Sequence, residues 1–268
     1  MRVGVKPGQW GWSFEELARS WDAAEEAGFD LLACFDHVTA SPKPAPVWDA
    51  PTLLAAMAAR TERITVAVRV LNASLRHPFL LAGQLAVAQA TSGGRLDVGL
   101  GTGSFHLARH DHEALAIPFP RFSDRVARLE AMCRLLPALW RGERVDDDAL
   151  GLSDASLGPI GITSPRLVVG GGSAQVMTIA ARYADGWNLS TADPREFEAA
   201  RVRLVRGSAE AGRQPPIAAE VQLWVQELWR DPRSHLRAFE EAGAEAVIVV
   251  LDEDRGPDEV RRLAHAIL

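Results

Sequence analysis

Cysteine is scarce in this chain, and long apolar runs are absent from it. The two cysteines, Cys34 and Cys133, lie far apart and form no Cys-x-x-Cys spacing. This usage is typical of a reduced cytoplasmic protein and argues against a disulfide-stapled secreted scaffold. No apolar run reaches the roughly 18 residues of a membrane-spanning helix, and Met1 leads into a strand pattern rather than a signal peptide. We therefore expect a cytoplasmic protein with no membrane partner.

An excess of basic residues is also missing. The 268 residues carry a formal net charge of −6, and the pI is near 5.7, which is unlike a nucleic-acid-binding protein. Hydrophobic residues make up 47% of the chain, a share that suits a soluble globular protein. Because there is neither an internal repeat nor a linker-like segment, the sequence predicts a single domain over residues 1–268.

The hydrophobic pattern alternates short strand-like runs with longer helical ones. Strands are predicted at 2–5, 31–35, 64–70, 96–100, 166–169, 186–189, 217–226 and 246–251. Helices are predicted at 14–27, 52–60, 79–90, 123–140, 174–183, 194–212, 234–242 and 257–268. Strand–helix alternation implies parallel strands, and eight such units predict an α/β fold, the (β/α)8 TIM barrel. Residues 104–122 are predicted to form a long loop, and residues 146–164 an irregular surface excursion.

Two glycine-rich turns follow predicted strands, at the end of the barrel where active sites lie. Gly101-Thr102-Gly103 has little side-chain bulk, so backbone there can approach a flat or anionic ligand. The second turn, Gly170-Gly171-Gly172-Ser173, precedes a helix, whose free N–H groups favour an anion such as phosphate. Each turn, taken alone, is also compatible with a purely structural role.

A histidine and several aromatic residues are expected at the same rim. His37 follows Asp36 directly after a buried strand, where an imidazole can exchange a proton near neutral pH. A histidine that is only hydrogen-bonded at the rim is the alternative. Aromatic side chains that are candidates to wall a planar ligand are Trp10, Trp12, Trp48 and Phe105. Each of these, taken alone, is more typical of a packing residue.

A metal-dependent hydrolase is the competing interpretation of the histidines. His106, His110, Asp111 and His112, with Asp36 and His37, supply the residue types that bind metals. Metal-dependent barrels usually bring a His-x-His pair from the first strand, however, and the first strand here has no histidine. We predict no metal site, and we interpret Asp146-Asp147-Asp148 as a solvated turn.

Several motifs, in order and spacing, resemble the luciferase-like monooxygenase family of flavin- and coenzyme F420-dependent (β/α)8 enzymes. The motifs span nearly the whole chain and include residues 26–30 before Asp36-His37, 59–64, 76–78, 92–95 with 99–103, 117–120 with Arg125 and Glu130, and 170–173 with 180–188. The resemblance implies a deazaflavin or flavin ring across the barrel mouth. It also implies that His37, with Asp36, moves a proton beside that ring.

The resemblance further assigns the cofactor-binding residues. A bulged third strand, often with a non-prolyl cis peptide bond, would support the ring from behind. The residues implied to bind the cofactor are Asp36, Arg69, Val70, Leu71, Asn72, Gly101, Thr102, Gly103, Gly170, Gly171, Gly172 and Ser173. The expected substrate contacts are Trp10, Trp12, Trp48, Ser104 and Phe105.

One position departs from part of the family. In the deazaflavin-dependent sugar-phosphate dehydrogenases an acidic residue follows the glycine turn of the fourth strand, and here Ser104 takes its place. This difference argues against a sugar-phosphate substrate. The sequence leads to an F420-dependent oxidoreductase that acts on a small organic molecule. The alternatives are an FMN-dependent monooxygenase fed by a partner reductase and a flavin- or deazaflavin-binding protein without turnover. By resemblance, a homodimer is expected.

Overall fold

Eight parallel strands close into a barrel in the computed structural model, which describes residues 1–40, 45–103, 105–214, 216–228, 231–251 and 256–268 (the side chain of Phe105 excepted). The barrel strands are β1 (Arg2–Lys6), β2 (Leu31–Cys34), β3 (Thr65–Asn72), β4 (Leu96–Gly101), β7 (Arg166–Gly170), β8 (Gly186–Ser190), β9 (Ala218–Trp224) and β10 (Ala246–Val250). Their spatial order is β1-β10-β9-β8-β7-β4-β3-β2. The predicted (β/α)8 barrel is confirmed.

Helices surround the barrel. They are α1 (Phe14–Glu26), α2 (Ala50–Arg60), α3 (Pro78–Thr91), α4 (Phe105–Ala114), α5 (Phe122–Trp140), α6 (Ala174–Tyr183), α7 (Pro194–Glu210), α8 (Val225–Leu228), α9 (Pro232–Glu241) and α10 (Pro257–Ile267). A capping box begins α1, since Ser13 and Glu16 each accept a backbone N–H of the other. In the described part of the chain, no helix has the length and apolar character needed to cross a membrane.

Three local predictions are corrected. The predicted loop over 104–122 contains α4, because Leu107, Ala108, Asp111 and their neighbours are placed at helical spacing. The predicted strand 217–226 ends at Trp224, whose N–H donates to the Glu227 carboxylate at the start of α8. Within the irregular segment 146–164, β5 (Val145–Asp147) and β6 (Leu152–Ala155) form an antiparallel hairpin. The aspartates at 146–148 thus belong to the hairpin rather than to a simple solvated turn.

The barrel interior combines an apolar layer with a buried ion network. Small and branched side chains, namely Leu31, Ala33, Ala67, Ala246 and Ile248, form the apolar layer. Beside them, Glu220 accepts from Arg69 Nε at 2.9 Å and from Arg166 Nη1 at 2.7 Å. Burial raises the pKa of the Glu220 carboxyl, but the two guanidinium groups outweigh it and hold the pKa below its usual value. Asp97 completes the network by accepting from both arginines.

Glycines on β4 and β7 make room for a bulge in β3. The pairing register of β3 shifts between Val68 and Leu71, and the Arg69–Val70 peptide bond is cis. A Cβ at Gly101 would lie 2.6 Å from Val70 Cγ2, and a Cβ at Gly170 would lie 2.8 Å from Val70 Cγ1. A Cβ at Gly99 would collide with the Val68 carbonyl oxygen. These glycines therefore serve the packing of the third strand.

We expect Gly101→Ala to lower the free energy of unfolding by about 1–3 kcal/mol, because the new methyl group overlaps Val70. Combining it with Val70→Ala should recover part of that loss, giving a favourable coupling energy of about 1 kcal/mol in urea denaturation. Gly83→Ala is the control: it lies inside α3, its Cβ would meet only Leu157 Cδ2 at 3.9 Å, and it should stabilise by about 0.5–1 kcal/mol. Simple additivity of the two changes would contradict this account.

Candidate active site

A cavity of about 450 Å³ opens at the carboxyl ends of the barrel strands. One side of it is aromatic and carries the rings of Trp10, Phe35 and His37. The polar floor comes from β1, β8 and β9, with Lys6, Asn188, Ser190 and Gln222. The remaining lining includes Asp36, Arg69, Val70, Asn72, Thr102, Gly103, Leu107, Ala108, Asp111, Gly170, Gly171, Trp224 and Val250. The size suits a drug-sized or cofactor-sized molecule.

His37 is held from behind by a buried carboxylate. Its Nδ1 donates to Asp111 Oδ2 at 2.8 Å, while the backbone N–H groups of Val38 and Thr39 donate to Asp111 Oδ1 at 2.9 and 3.2 Å. Asp111 lies on α4 and is 1% exposed. Because a carboxylate can only accept, Nδ1 carries a proton, and in the neutral tautomer this arrangement leaves Nε2 as the acceptor nitrogen. The centroid of the imidazole ring lies 5.3 Å from the ring centroid of Trp10 and 5.6 Å from that of Phe35.

Asp36 forms a buried ion pair with Arg76, so its carboxylate is not available to exchange protons with a ligand. Its two carboxylate oxygens accept from Arg76 Nη1 and Nη2, both at 2.7 Å, and Oδ2 also accepts the Asn72 N–H at 3.0 Å. Burial lowers the pKa of the Arg76 guanidinium, but Asp36 and Asp49 outweigh it, so the pKa is raised overall. Asp36 thus joins the end of β2 to the end of β3 and positions the neighbouring His37.

The first glycine turn is a close-packed corner of the cavity. Gly103 has φ of +77°, and a Cβ there would lie 2.7 Å from Asn72 Nδ2 and 2.9 Å from Ala108 Cβ. Arg125 of α5 donates to the carbonyl oxygens of Thr102 and Gly103, both at 2.9 Å. The turn is therefore fixed from outside by α5 and leaves space on its inner side.

The second glycine turn, residues 170–173, faces the cavity with its first two residues and the start of α6 with its last. Gly170 and Gly171 line the cavity. Gly171 has φ of +130°, donates its N–H to the Asn188 carbonyl at 3.0 Å, and accepts from Trp187 Nε1 at 2.8 Å. Ser173 is turned away from the cavity, since its Oγ caps α6 by accepting the Val176 N–H.

A buried lysine lies at the floor of the cavity. Lys6 Nζ donates to the Arg69 carbonyl oxygen and to Gln222 Oε1, each at 3.0 Å. Burial, with a smaller contribution from Arg69, lowers the pKa of Lys6 to about 8. The ammonium form still dominates at neutral pH.

The structure brings together most of the predicted site residues, but not all of them. Leu71, Gly101, Gly172 and Ser173 do not line the cavity: Leu71 is packed in the core, and Gly101 faces Val70. Trp12 and Trp48 lie behind the aromatic wall, because Trp48 Nε1 donates to the Trp12 carbonyl and both rings pack in the core. Ser104 and the side chain of Phe105 lie outside the described residues.

Sequence reasoning missed Asp111 and Lys6 as site residues. Asp111 was considered only as a metal ligand in a loop, although Leu107, Ala108, Asp111 and His112 have the i, i+1, i+4, i+5 spacing of one helix face. Recognition of that helix would have placed Asp111 towards the barrel. Lys6 is the last residue of β1, and the strand period puts it on the face of Gly4, inside the barrel.

Three buried nitrogens at the cavity have no hydrogen-bond partner among the described residues: Trp10 Nε1, Asn72 Nδ2 and Asn188 Nδ2. Asn72 and Asn188 are at most 4% exposed. Unsatisfied buried donors are costly, so they indicate a ligand that carries acceptors. The described residues assemble no cluster of metal-ligating side chains; His110 pairs with Glu113, and His112 Nδ1 donates to the Ala108 carbonyl. The donors and the aromatic wall fit a planar heteroaromatic ring.

Comparison with known proteins finds a matching family, related enzymes and a similar solved structure. Residues 1–264 match the model of a protein family described as luciferase-like monooxygenase. The chain is 29% identical to the F420-dependent glucose-6-phosphate dehydrogenase of Beutenbergia cavernae, over all of this chain and 80% of that protein. It is 30% identical to the enzyme of the same name from Intrasporangium calvum, over 74% of this chain and 60% of that protein. An F420-dependent secondary alcohol dehydrogenase, solved with an F420–acetone adduct, superposes with a TM-score of 0.83 at 15% identity and covers 100% of this chain and 98% of its own.

We expect Asp36→Asn to lower the free energy of unfolding by about 3 kcal/mol, because it removes the buried one of the two carboxylates that pair with Arg76 and leaves the half-exposed Asp49. Asp22→Asn is a matched control: Asp22 accepts from Arg60 through two bonds of 2.7 Å, the same distances as in the Asp36–Arg76 pair, but in an exposed position. The control should cost less than about 1 kcal/mol in urea denaturation. Equal losses in the two variants would show that burial does not decide the strength of these pairs.

Proposed function

This chain belongs to the luciferase-like monooxygenase family, and we propose that it is an oxidoreductase that uses coenzyme F420 to transfer a hydride to or from a small organic substrate. The observation that carries the proposal is the His37–Asp111 pair beside a ring-sized cavity with unsatisfied donors. The curated relatives named above are F420-dependent dehydrogenases, which favours F420 over the FMN alternative.

The residues of this chain divide into two groups around the proposed ring. Val70, Asn72, Thr102, Gly103, Gly170 and Gly171 would hold the cofactor, since they line the cavity on the side of the β3 bulge and the glycine turns. The absence of Cβ atoms at Gly103 and Gly171 keeps backbone accessible there. Asp36 acts as a positioning residue through Arg76 and the Asn72 N–H.

The chemistry that F420 supplies when bound is the acceptance or donation of a hydride. His37 Nε2 takes the proton of a substrate hydroxyl in the oxidising direction and returns it to the carbonyl oxygen in the reducing direction. Asp111 holds the imidazole orientation and stabilises the imidazolium that forms, as the buried carboxylate does in catalytic triads. Trp10 and Phe35 keep water away from the imidazole by packing against it.

The substrate is proposed to be a small alcohol or carbonyl compound rather than a sugar phosphate. Phosphate groups are usually bound by several Arg or Lys side chains. Among the described residues that line the cavity, the basic ones are Lys6 and Arg69, and the Arg69 guanidinium is bound to Glu220 and Asp97. Ser104, which stands where the sugar-phosphate dehydrogenases of the family carry an acidic residue, supports the same conclusion. The carboxylate nearest to His37 comes instead from Asp111 on α4.

The proposed reaction also implies a partner enzyme and a location in the cell. A separate oxidoreductase would regenerate the other redox form of the cofactor. The reaction would take place in the cytoplasm, where Cys34 and Cys133, both buried and unpaired, stay reduced.

We expect purified protein to change the absorbance of added F420 on binding and to bind FMN much more weakly. His37→Ala should lower turnover by about 10²–10⁴-fold, and Asp111→Asn by on the order of 10²-fold or more, with little change in F420 affinity. Turnover is measured with 2-propanol, acetone and glucose 6-phosphate as probes. His110→Ala is the control on the same helix, since among the described residues His110 pairs with the exposed Glu113.

The other outcomes identify the alternatives. Tight FMN binding, without F420 binding and with oxygen-dependent product formation, would replace the proposal by a flavin monooxygenase. F420 binding without hydride transfer across a panel of alcohols and ketones would indicate a non-catalytic binding protein.

We also propose a homodimer that uses the outer face of α3. Leu80 and Val87 are 66% and 58% exposed on that helix, and their seven-residue spacing puts them on one face. Exposed apolar side chains that form one patch are typical of protein–protein contacts.

The dimer is checked by light scattering during size-exclusion chromatography. Wild-type protein should give the mass of two chains, and Leu80→Glu with Val87→Glu should give one. Val202→Glu on α7, where Val202 is 61% exposed, should leave the dimer intact. A monomeric wild type, or a dimer that survives the α3 changes, would contradict this arrangement.

A further inference from the structure

Lysine is nearly absent from this protein. Of its 29 basic residues only Lys6 and Lys43 are lysines, so arginine takes almost every position where either cation would serve. Lys6 is one of the two exceptions, and it is buried at the floor of the cavity. A compact ammonium group fits there, whereas the larger guanidinium fork does not present the same point charge.

Lys6 has no counter-ion among the described residues. Its two hydrogen bonds go to neutral oxygens, the Arg69 carbonyl and Gln222 Oε1, and they leave one of the three ammonium N–H groups for a ligand. The charged or titratable groups that act on it are Arg69, which is another cation, and Cys34, whose pKa is raised by burial so that the thiol stays neutral. Buried cations are normally paired with an anion, so Lys6 has room for an anionic partner supplied by a ligand.

The carboxylates of the described barrel interior and cavity are already bound to other groups. Arg69 and Arg166 are balanced by Asp97 and Glu220 through bonds of 2.7–3.3 Å. Asp36 and Asp111 are used by Arg76 and His37. None of these four carboxylates bonds to the Lys6 ammonium group, which donates to Arg69 and Gln222 and faces the cavity.

We propose that Lys6 makes the cavity prefer the anionic, reduced form of the bound cofactor over the oxidised form. This rests on the proposed function. Oxidation of an alcohol sends a hydride from carbon to the ring and the hydroxyl proton to His37, so the reduced cofactor leaves that step with one more negative charge than the oxidised one. A fixed cation in the lining of the cavity would stabilise that charge on a cofactor bound there.

An anionic substrate is the competing source of negative charge, and a purely structural lysine is the other possibility. The binding of each redox form without substrate separates these cases. A substrate-binding lysine would leave both cofactor affinities unchanged, and a structural lysine would change both of them equally.

The first experiment measures the affinities of oxidised and anaerobically reduced F420 by calorimetry. Lys6→Met should lower the preference for the reduced form by at least about 10-fold, which corresponds to a fall of about 30 mV in the potential of the bound two-electron couple. Gln222→Glu keeps the lysine but puts a carboxylate next to Nζ, and it should abolish the preference in the same way. Arg134→Met removes an exposed cation on α5 and should change nothing.

The second experiment observes the lysine directly. Protein labelled with ¹³C at the lysine ε-carbon gives two lysine signals, and Lys6→Met assigns one of them. The titration midpoint of Lys6 should rise from about 8 when reduced F420 binds and should rise less with the oxidised form. If the wild type binds FMN and not F420, the same measurement is made with oxidised and reduced FMN, so the proposed function fails separately.

The proposal is overturned if Lys6→Met changes both affinities by the same factor or neither of them. It is also overturned if the Lys6 signal responds equally to the two redox forms. Should Lys6→Met fail to fold, Gln222→Glu and the titration of the wild-type signal decide the matter alone.

Discussion

The close approach of β3 to β4 and β7 is the constraint on which this structure depends. Val70 fills the space that side chains at Gly101 and Gly170 would otherwise take, and Gly99 leaves room for the Val68 carbonyl. The bulge turns the Arg69 carbonyl towards Lys6 while the Arg69 guanidinium binds Glu220. One irregular strand therefore sets the wall of the cavity, the position of its buried cation and the ion network beneath it.

The barrel could be predicted because its signals are local and repeated. Runs such as 246–250 are continuously apolar, as buried parallel strands are, and Ser13 with Glu16 marks a helix start by itself. The boundaries that failed depend on single polar contacts. The N–H of Trp224 finds the Glu227 carboxylate, which ends β9 two residues earlier than expected, and nothing in the local hydropathy reveals such a contact.

The site was predictable to the extent that it follows strand ends. His37, Asn72 and the glycine turns were placed at the rim from topology alone, and the structure puts His37, Asn72 and part of each turn at one cavity. The partners of these residues were not predictable, because Asp111 is 74 positions from His37 and Gln222 is 216 from Lys6. The tryptophans show the same limit: composition cannot distinguish Trp10, which lines the cavity, from Trp12, which is buried behind it.

The placement of Asp111 on α4 has a consequence for how such enzymes diversify. The backbone that faces the proposed cofactor belongs to β3, β4 and β7, whereas the carboxylate that orients His37 is carried by a helix outside the barrel. Mutations in α4 can therefore change the orientation of His37 and the shape of the mouth without disturbing the glycines that the strands need. Selection for a new substrate and selection for an intact cofactor site act on different segments of the chain, so the former can proceed while the latter is preserved.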